Sequence, residues 1–252
     1  MGQTSMWYWA ALCIAAAVIG ISKTGFPGAG ILAIPLVAMV MPARVSTGLI
    51  LPMLLVGDVL AVAYYRRHAV WRHLVRLLPC AAAGIIVGYR LLGIVDDRLL
   101  KPGIGGLILV MLALNHWRRR RADESADTDI PRGWWFPLIM GVLAGITTMM
   151  ANAAGPIMMI YLLAMRLPKE AFIGTGAWYF LLLNAFKIPF SWNLGLITAD
   201  SLWLNARLAP LIIIGGLLGA WAVKFVPQTA FNRTVEVLTA LAALQLVLSA
   251  IC

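Results

Sequence analysis

Ser22-Lys23-Thr24-Gly25-Phe26-Pro27-Gly28-Ala29-Gly30 interrupts the first long apolar stretch of the chain. A second interruption, Thr147-Thr148-Met149-Met150-Ala151-Asn152-Ala153-Ala154-Gly155-Pro156, falls in the corresponding place of the second half. Glycine and proline break helices, the first through backbone freedom and the second through its missing N–H. At membrane depth, broken backbone survives only where protein or a water-filled cavity shields it. Paired breaks in two halves of one membrane chain therefore point to a small-molecule site of the kind carriers use.

The surroundings of the breaks fix the membrane class. The 252 residues are 62% hydrophobic and 12% charged, too little charge for a soluble domain of this size. The apolar runs are continuous rather than alternating, which excludes a membrane β-barrel and implies an all-α polytopic protein. The net charge of +10 reads as cytoplasmic loop bias rather than nucleic-acid binding. Cys13, Cys80 and Cys252 have no metal-ligand spacing and read as packing residues. Met1 to Gly20 lacks a basic leader, so the first segment is expected to stay in the mature protein.

Ten hydrophobic segments follow. Those of the first half are Met6–Ile21, Phe26–Met41, Val45–Tyr65, Leu74–Leu92 and Leu99–Trp117. Those of the second are Trp134–Met150, Ile157–Met165, Ala171–Pro189, Leu202–Phe225 and Phe231–Ile251. The halves resemble one another in the order of their features. Pro42-Ala43-Arg44-Val45-Ser46-Thr47-Gly48 pairs with Pro168-Lys169-Glu170-Ala171-Phe172-Ile173-Gly174, and Asp58 falls on Asn184 at the same offset. Gly84-x-x-x-Gly88 pairs with Gly215-x-x-x-Gly219; for these four glycines close helix packing is the favoured reading. The expected organisation is a first repeat over 1–117, a cytoplasmic linker over 118–133 and a second repeat over 134–252, together one transport domain.

Orientation follows from the basic residues. With Arg118–Arg121 in the cytoplasm, 13 of the 20 Lys and Arg residues are cytoplasmic, and the termini are periplasmic. Five elements per repeat is an odd number, so the two repeats are expected to be inverted, each beginning with a broken or re-entrant helix pair. Ile157–Met165 is too short to cross a core of about 30 Å as one straight helix.

A helix N-terminus leaves unpaired N–H groups and carries about half a positive charge, so helices starting near Gly28 and Gly155 could face an anion. The candidate substrate-binding residues are Lys23, Thr24, Gly25, Gly28, Gly30, Thr148, Asn152 and Gly155. Lys23 is the one full charge in either break, and a buried ammonium needs an anionic partner. Asp58, deep in the third segment, is a candidate for a coupling proton, or for an ion pair with Lys23 or Lys187. Lys187 lies toward the end of its segment and is expected to snorkel. Tyr64, Tyr65, Trp71, Trp134 and Trp135 fit an interfacial aromatic belt, and His68, His73 and His116 flank basic boundaries.

The chain resembles the sulfite exporter TauE/SafE family, also called the 4-toluene sulfonate uptake permease family. The resemblance rests on the Gly-rich break in each half, on Asp58-Val59-Leu60-Ala61-Val62-Ala63-Tyr64-Tyr65-Arg66-Arg67-His68-Ala69-Val70-Trp71, and on Leu167-Pro168-Lys169-Glu170-Ala171-Phe172-Ile173-Gly174-Thr175-Gly176-Ala177-Trp178. It implies a secondary transporter that moves a small organosulfur anion, such as sulfite or an organosulfonate, across the bacterial inner membrane. Many members carry three glycines in each break, where this chain has Gly28-Ala29-Gly30 and Ala153-Ala154-Gly155. An anion channel for small oxyanions or carboxylates is the alternative. No catalytic constellation, metal motif or phosphate-binding loop is present in the sequence, so neither an enzyme nor a cofactor is expected. The expected partners are the anion and membrane lipid, with no nucleic acid; the reading is compatible with a homodimer.

Overall fold

The computed structural model of the chain describes residues 6–38, 40–41, 43–91 and 133–248. The fifth expected segment, Leu99–Trp117, nearly all of the expected linker and Cys252 lie outside the described residues. Every regular element among the described residues is helical.

The first break is narrower than its sequence suggests. Helix α1, Met6–Thr24, continues through Ser22 and Lys23 and stops only at Gly25. Gly28 has φ 104°, a conformation that L side chains rarely adopt, so glycine is required there for the backbone alone. A 3₁₀ turn, Ala29–Leu32, and a six-residue helix α2, Ala33–Ala38, follow in place of the single long segment expected over Phe26–Met41. The Gly-Ala-Gly stretch favours the tighter turn, and Pro35 falls within the short helix.

The second break is a clean helix end. Helix α5, Trp135–Ala151, closes at Asn152, which sits in the left-handed region at φ 53°. The N–H groups of Asn152 and Ala153 fold back to the carbonyls of Thr148 and Thr147, at 3.1 and 3.2 Å. Asparagine tolerates this conformation better than most residues, which gives it a conformational reason to be there. Helix α6, Ala154–Ala164, then runs for 11 residues, about 16 Å at 1.5 Å per residue.

The longer helices are α3 (Ala43–Tyr65), α4 (Trp71–Leu91), α7 (Lys169–Asn193), α8 (Ala199–Val223) and α9 (Gln228–Leu248). Of these, α3, α4, α7 and α8, together with α1, are long and apolar enough to cross a membrane. Helix α7 passes Pro189 and ends at Asn193, later than the sequence suggests. Thr198 and Ser201 form a reciprocal capping box that starts α8.

The helices gather into two compact units that do not follow the sequence halves. One combines residues 1–69 with 173–227, and the other combines 70–172 with 228–252. In the first unit, α1 lies against α8 through small residues. A Cβ on Gly215 would meet the Ala17 carbonyl oxygen at 2.4 Å, and one on Gly219 would meet that of Ile21 at 2.6 Å. In the second unit, α4 lies against α5 by the same device. A Cβ on Gly84 would meet the Val142 carbonyl oxygen at 2.3 Å, and one on Gly88 would meet that of Ile146 at 3.0 Å. The paired Gly-x-x-x-Gly motifs thus do what small residues do between membrane helices, letting backbones touch.

The core of the first unit is apolar, with Leu12, Ile19, Leu49, Met53 and Ile212 fully buried. Tyr64, Trp71, Trp134 and Trp135 are exposed, as an interfacial belt requires. Tyr65 is not: it is buried, and its hydroxyl donates to the Thr24 carbonyl at 2.9 Å.

Candidate functional site

The last turn of α1 places Lys23 beside α3. Its Nζ lies 2.6 Å from Oδ1 of Asp58, whose side chain is wholly buried. Gly57, next to Asp58, leaves room for the lysine stem; a Cβ there would come 2.9 Å from the Lys23 Cγ. The ammonium also sits 4.5 Å from the centre of the Phe180 ring on α7, within cation–π range. Of the two lysines open as partners for Asp58, Lys23 makes the ion pair.

Helix α7 completes the arrangement. The Asn184 amide donates to Oδ2 of Asp58 at 2.7 Å, so both carboxylate oxygens are engaged. Lys187, one turn further along α7, is 2% exposed and lies within electrostatic reach of both Lys23 and Asp58. The expectation that it snorkels fails because α7 extends past Pro189, so Lys187 is interior to the helix and faces the core. Lys23, Lys187, the Asp58 carboxylate and the Asn184 amide therefore cluster inside a mostly apolar bundle. Removing charges from water costs several kcal/mol each unless partners compensate.

The other candidates of the first break have local duties. Thr24 donates its hydroxyl to the Gly216 carbonyl of α8 and back to Gly20. Gly25 meets α8 so closely that a Cβ would sit 2.6 Å from the Gly219 carbonyl oxygen. The Gly30 N–H donates to Ser22 Oγ at 2.8 Å, and the N–H groups of Gly25, Phe26 and Ala29 bond to backbone carbonyls. Most amides of this break are thus satisfied within it. The expected helix N-terminus at Gly28 is a 3₁₀ turn, which has too few aligned peptides to build a strong dipole.

The second break belongs to the other unit. Thr148 is buried in the last turn of α5, and Thr147 bonds back to the Ala144 carbonyl at 3.1 Å. Helix α6 begins without a side-chain cap, and Ala153 and Ala154 are each 1% exposed. Gly155 is open: the nearest atom to a Cβ there would be the Met159 Cε at 3.9 Å. His73, expected at a membrane boundary, is half-buried and bonds the Tyr161 hydroxyl of α6 at 2.8 Å, while Tyr161 stacks on Phe136.

The sequence does not mark Asn184 or Phe180 as site residues, and it favours snorkelling for Lys187. The available signal was the common offset of 126 residues that sets Asp58 against Asn184.

The family model described as sulfite exporter TauE/SafE matches residues 12–246, nearly the whole chain. The chain belongs to the TauE/SafE sulfite exporter family. Members are membrane transporters rather than enzymes, and the five long apolar helices fit a multi-pass membrane protein. The chain is also similar to a probable inner membrane transporter protein TsaS of Comamonas testosteroni, with 29% identity over 184 residues. That match covers 71% of this chain and 73% of the relative. No solved structure matches the chain.

Proposed function

We propose that this TauE/SafE member is a secondary transporter that moves a small organosulfur anion, such as sulfite or an organosulfonate, across the bacterial inner membrane. The observation that carries the reading is the Lys23–Asp58 pair, closed by Asn184 inside a mostly apolar unit. Ionisable groups within membrane helices are costly, and they mark substrate or proton pathways. Lys23 is the counter-ion of the transported anion, and Asp58 carries the coupling proton. In the second unit, taken by itself, Thr148, Asn152 and Gly155 are kept as candidate anion donors, supported by the buried, uncapped start of α6.

Two inverted repeats of five elements, joined by the basic linker, supply the scaffold, with the termini periplasmic. Contacts within the first unit support the repeat. Asp58 touches Asn184, its own counterpart 126 residues on. Gly48, near the start of α3, packs on Leu196 beyond the end of α7; Gly174, near the start of α7, packs on the Tyr65–Ala69 turn beyond the end of α3. Equivalent residues meeting one another, with reciprocal end contacts, is the pattern a two-fold axis generates. A homodimer is compatible with the exposed apolar face of α8 around Ile214, Leu217 and Trp221, which lipid would otherwise cover.

A thermal-shift screen of purified protein tests the substrate class. A ligand that binds only the folded state raises apparent stability, by about 2.7 kcal/mol at a hundredfold excess over Kd. Sulfite or methanesulfonate is expected to raise the transition temperature, and chloride at equal ionic strength is not. Equal stabilisation by chloride would argue against a sulfur-anion site.

A further inference from the structure

Among the described residues, the interior of the first unit holds two lysines, Lys23 and Lys187, and a single carboxylate, Asp58. Among the described residues, Asp58 is the only buried acid of that unit. Its two oxygens are gripped by an ammonium and an amide, at 2.6 and 2.7 Å, with the second ammonium within electrostatic reach. These are the donors an external oxyanion would need: charge from two sides, and a neutral N–H to orient it. A site built for one anion and already holding one cannot accept a second without repulsion. The groups facing Asp58 are few. Helix α1 contributes Lys23, and α7 contributes Asn184 and Lys187; α2 has no titratable side chain, and Asp200 and Arg207 of α8 are exposed.

We propose that Asp58 occupies the seat of the transported anion, that Lys187 and Asn184 belong to that seat beside Lys23, and that substrate enters only when Asp58 takes up a proton. The proposal rests on the transporter reading above and deepens it. In balanced form, one proton from the open aqueous side binds the Asp58 carboxylate. The neutral acid releases the ammonium groups, and one anion takes its place; on the far side both leave, and Asp58 returns to Lys23. Proton and anion therefore move together because they exclude the alternative occupant of one site. Asn184 suits both states, since its amide can donate to a carboxylate or accept from a carboxylic acid.

Calorimetric titration of the full-length protein with methanesulfonate, whose own charge does not change between about pH 5 and pH 9, tests the proposal. Repeating it in buffers of different ionisation enthalpy gives the number of protons taken up per anion bound. The wild type is expected to take up about one proton, with affinity falling about tenfold per pH unit on the alkaline side. Asp58→Asn is expected to take up about one proton fewer than wild type and to bind at least tenfold tighter than wild type at the alkaline end. Lys187→Gln is expected to weaken binding at least tenfold, and Lys187→Arg to restore it in part. If Lys187→Gln does not yield folded protein, the proton count and pH slope of Asp58→Asn decide the matter. Wild-type binding with no proton uptake, or an Asp58→Asn variant that keeps the pH slope, overturns the proposal and leaves the transporter reading standing. A wild type that binds no sulfur anion at any pH removes both.

Discussion

The Lys23–Asp58 pair stands or falls as a unit. Asp58 is completely buried, and the side chain of Lys23 is 13% exposed, so each holds the other in the bundle. Lys23→Ala leaves a buried carboxylate without its cation, and loss of one partner of such a pair costs about 3–5 kcal/mol. Lys23→Ala combined with Asp58→Asn removes both charges and is expected to recover much of that loss. Thermal unfolding in detergent reads both variants; equal destabilisation by the single and double changes would contradict that recovery. Reading alone reaches Lys23 and Asp58, because a charge in an apolar run is conspicuous. Lys187 is misjudged for a physical reason. Proline usually ends a helix, but α7 accommodates Pro189 and continues for another turn, which moves Lys187 from the rim to the interior. Tyr65 is misjudged similarly: beside the exposed Tyr64 it looks interfacial, yet its face of α3 turns inward to the end of α1.

At the scale of elements, glycine serves different ends in places that look alike. Gly145 packs against α4 so tightly that a Cβ would lie 2.1 Å from the Ala81 carbonyl oxygen. Gly155, in the same half, has open space around it. Gly145→Val is therefore expected to destabilise the α4–α5 pair by about 1–3 kcal/mol or more, because overpacking forces backbone to shift. Gly155→Ala is expected to change stability by less than about 1 kcal/mol, since alanine suits a helix better than glycine does. A Gly155→Ala variant that folds normally yet loses anion affinity would support close approach of the anion to the backbone there. Unchanged affinity would remove Gly155 from the site. The sequence distinguishes these glycines poorly, because neighbours across a helix interface are not neighbours in the chain. The Gly-x-x-x-Gly spacing, by contrast, is legible, as it places both glycines on one face of one helix. The extent of the first break is not, since the last turn of α1 tolerates Ser22, Lys23 and Thr24 once Thr24 bonds to α8 and Tyr65 bonds to the Thr24 carbonyl.

For the whole molecule, among the described residues, hydropathy is enough for the helical membrane class and for eight of the ten segments, because a 20-residue apolar run has few alternatives; Phe26–Met41 is broken instead, and Leu99–Trp117 lies outside those residues. The compact units are less accessible. Each draws helices from both halves, α1 with α8 in one and α4 with α5 in the other, and only long-range packing decides such pairings. The common feature of the two units is that a broken-pair helix lies against the Gly-x-x-x-Gly helix of the opposite half. Lys23, Asp58 and Lys187 all lie in the first unit. Transport should therefore depend on that unit's interior charges far more than on its surface charges. Flux of labelled sulfite or an organosulfonate in proteoliposomes is the most direct measurement, comparing wild type with folded Lys23→Ala/Asp58→Asn and with Arg207→Ala, an exposed control. Saturable flux is expected in wild type and the control, and a role for the pair in transport predicts loss of at least about a hundredfold, or about 2.7 kcal/mol of barrier, in the charge-pair variant. Flux in that variant equal to wild type would contradict it.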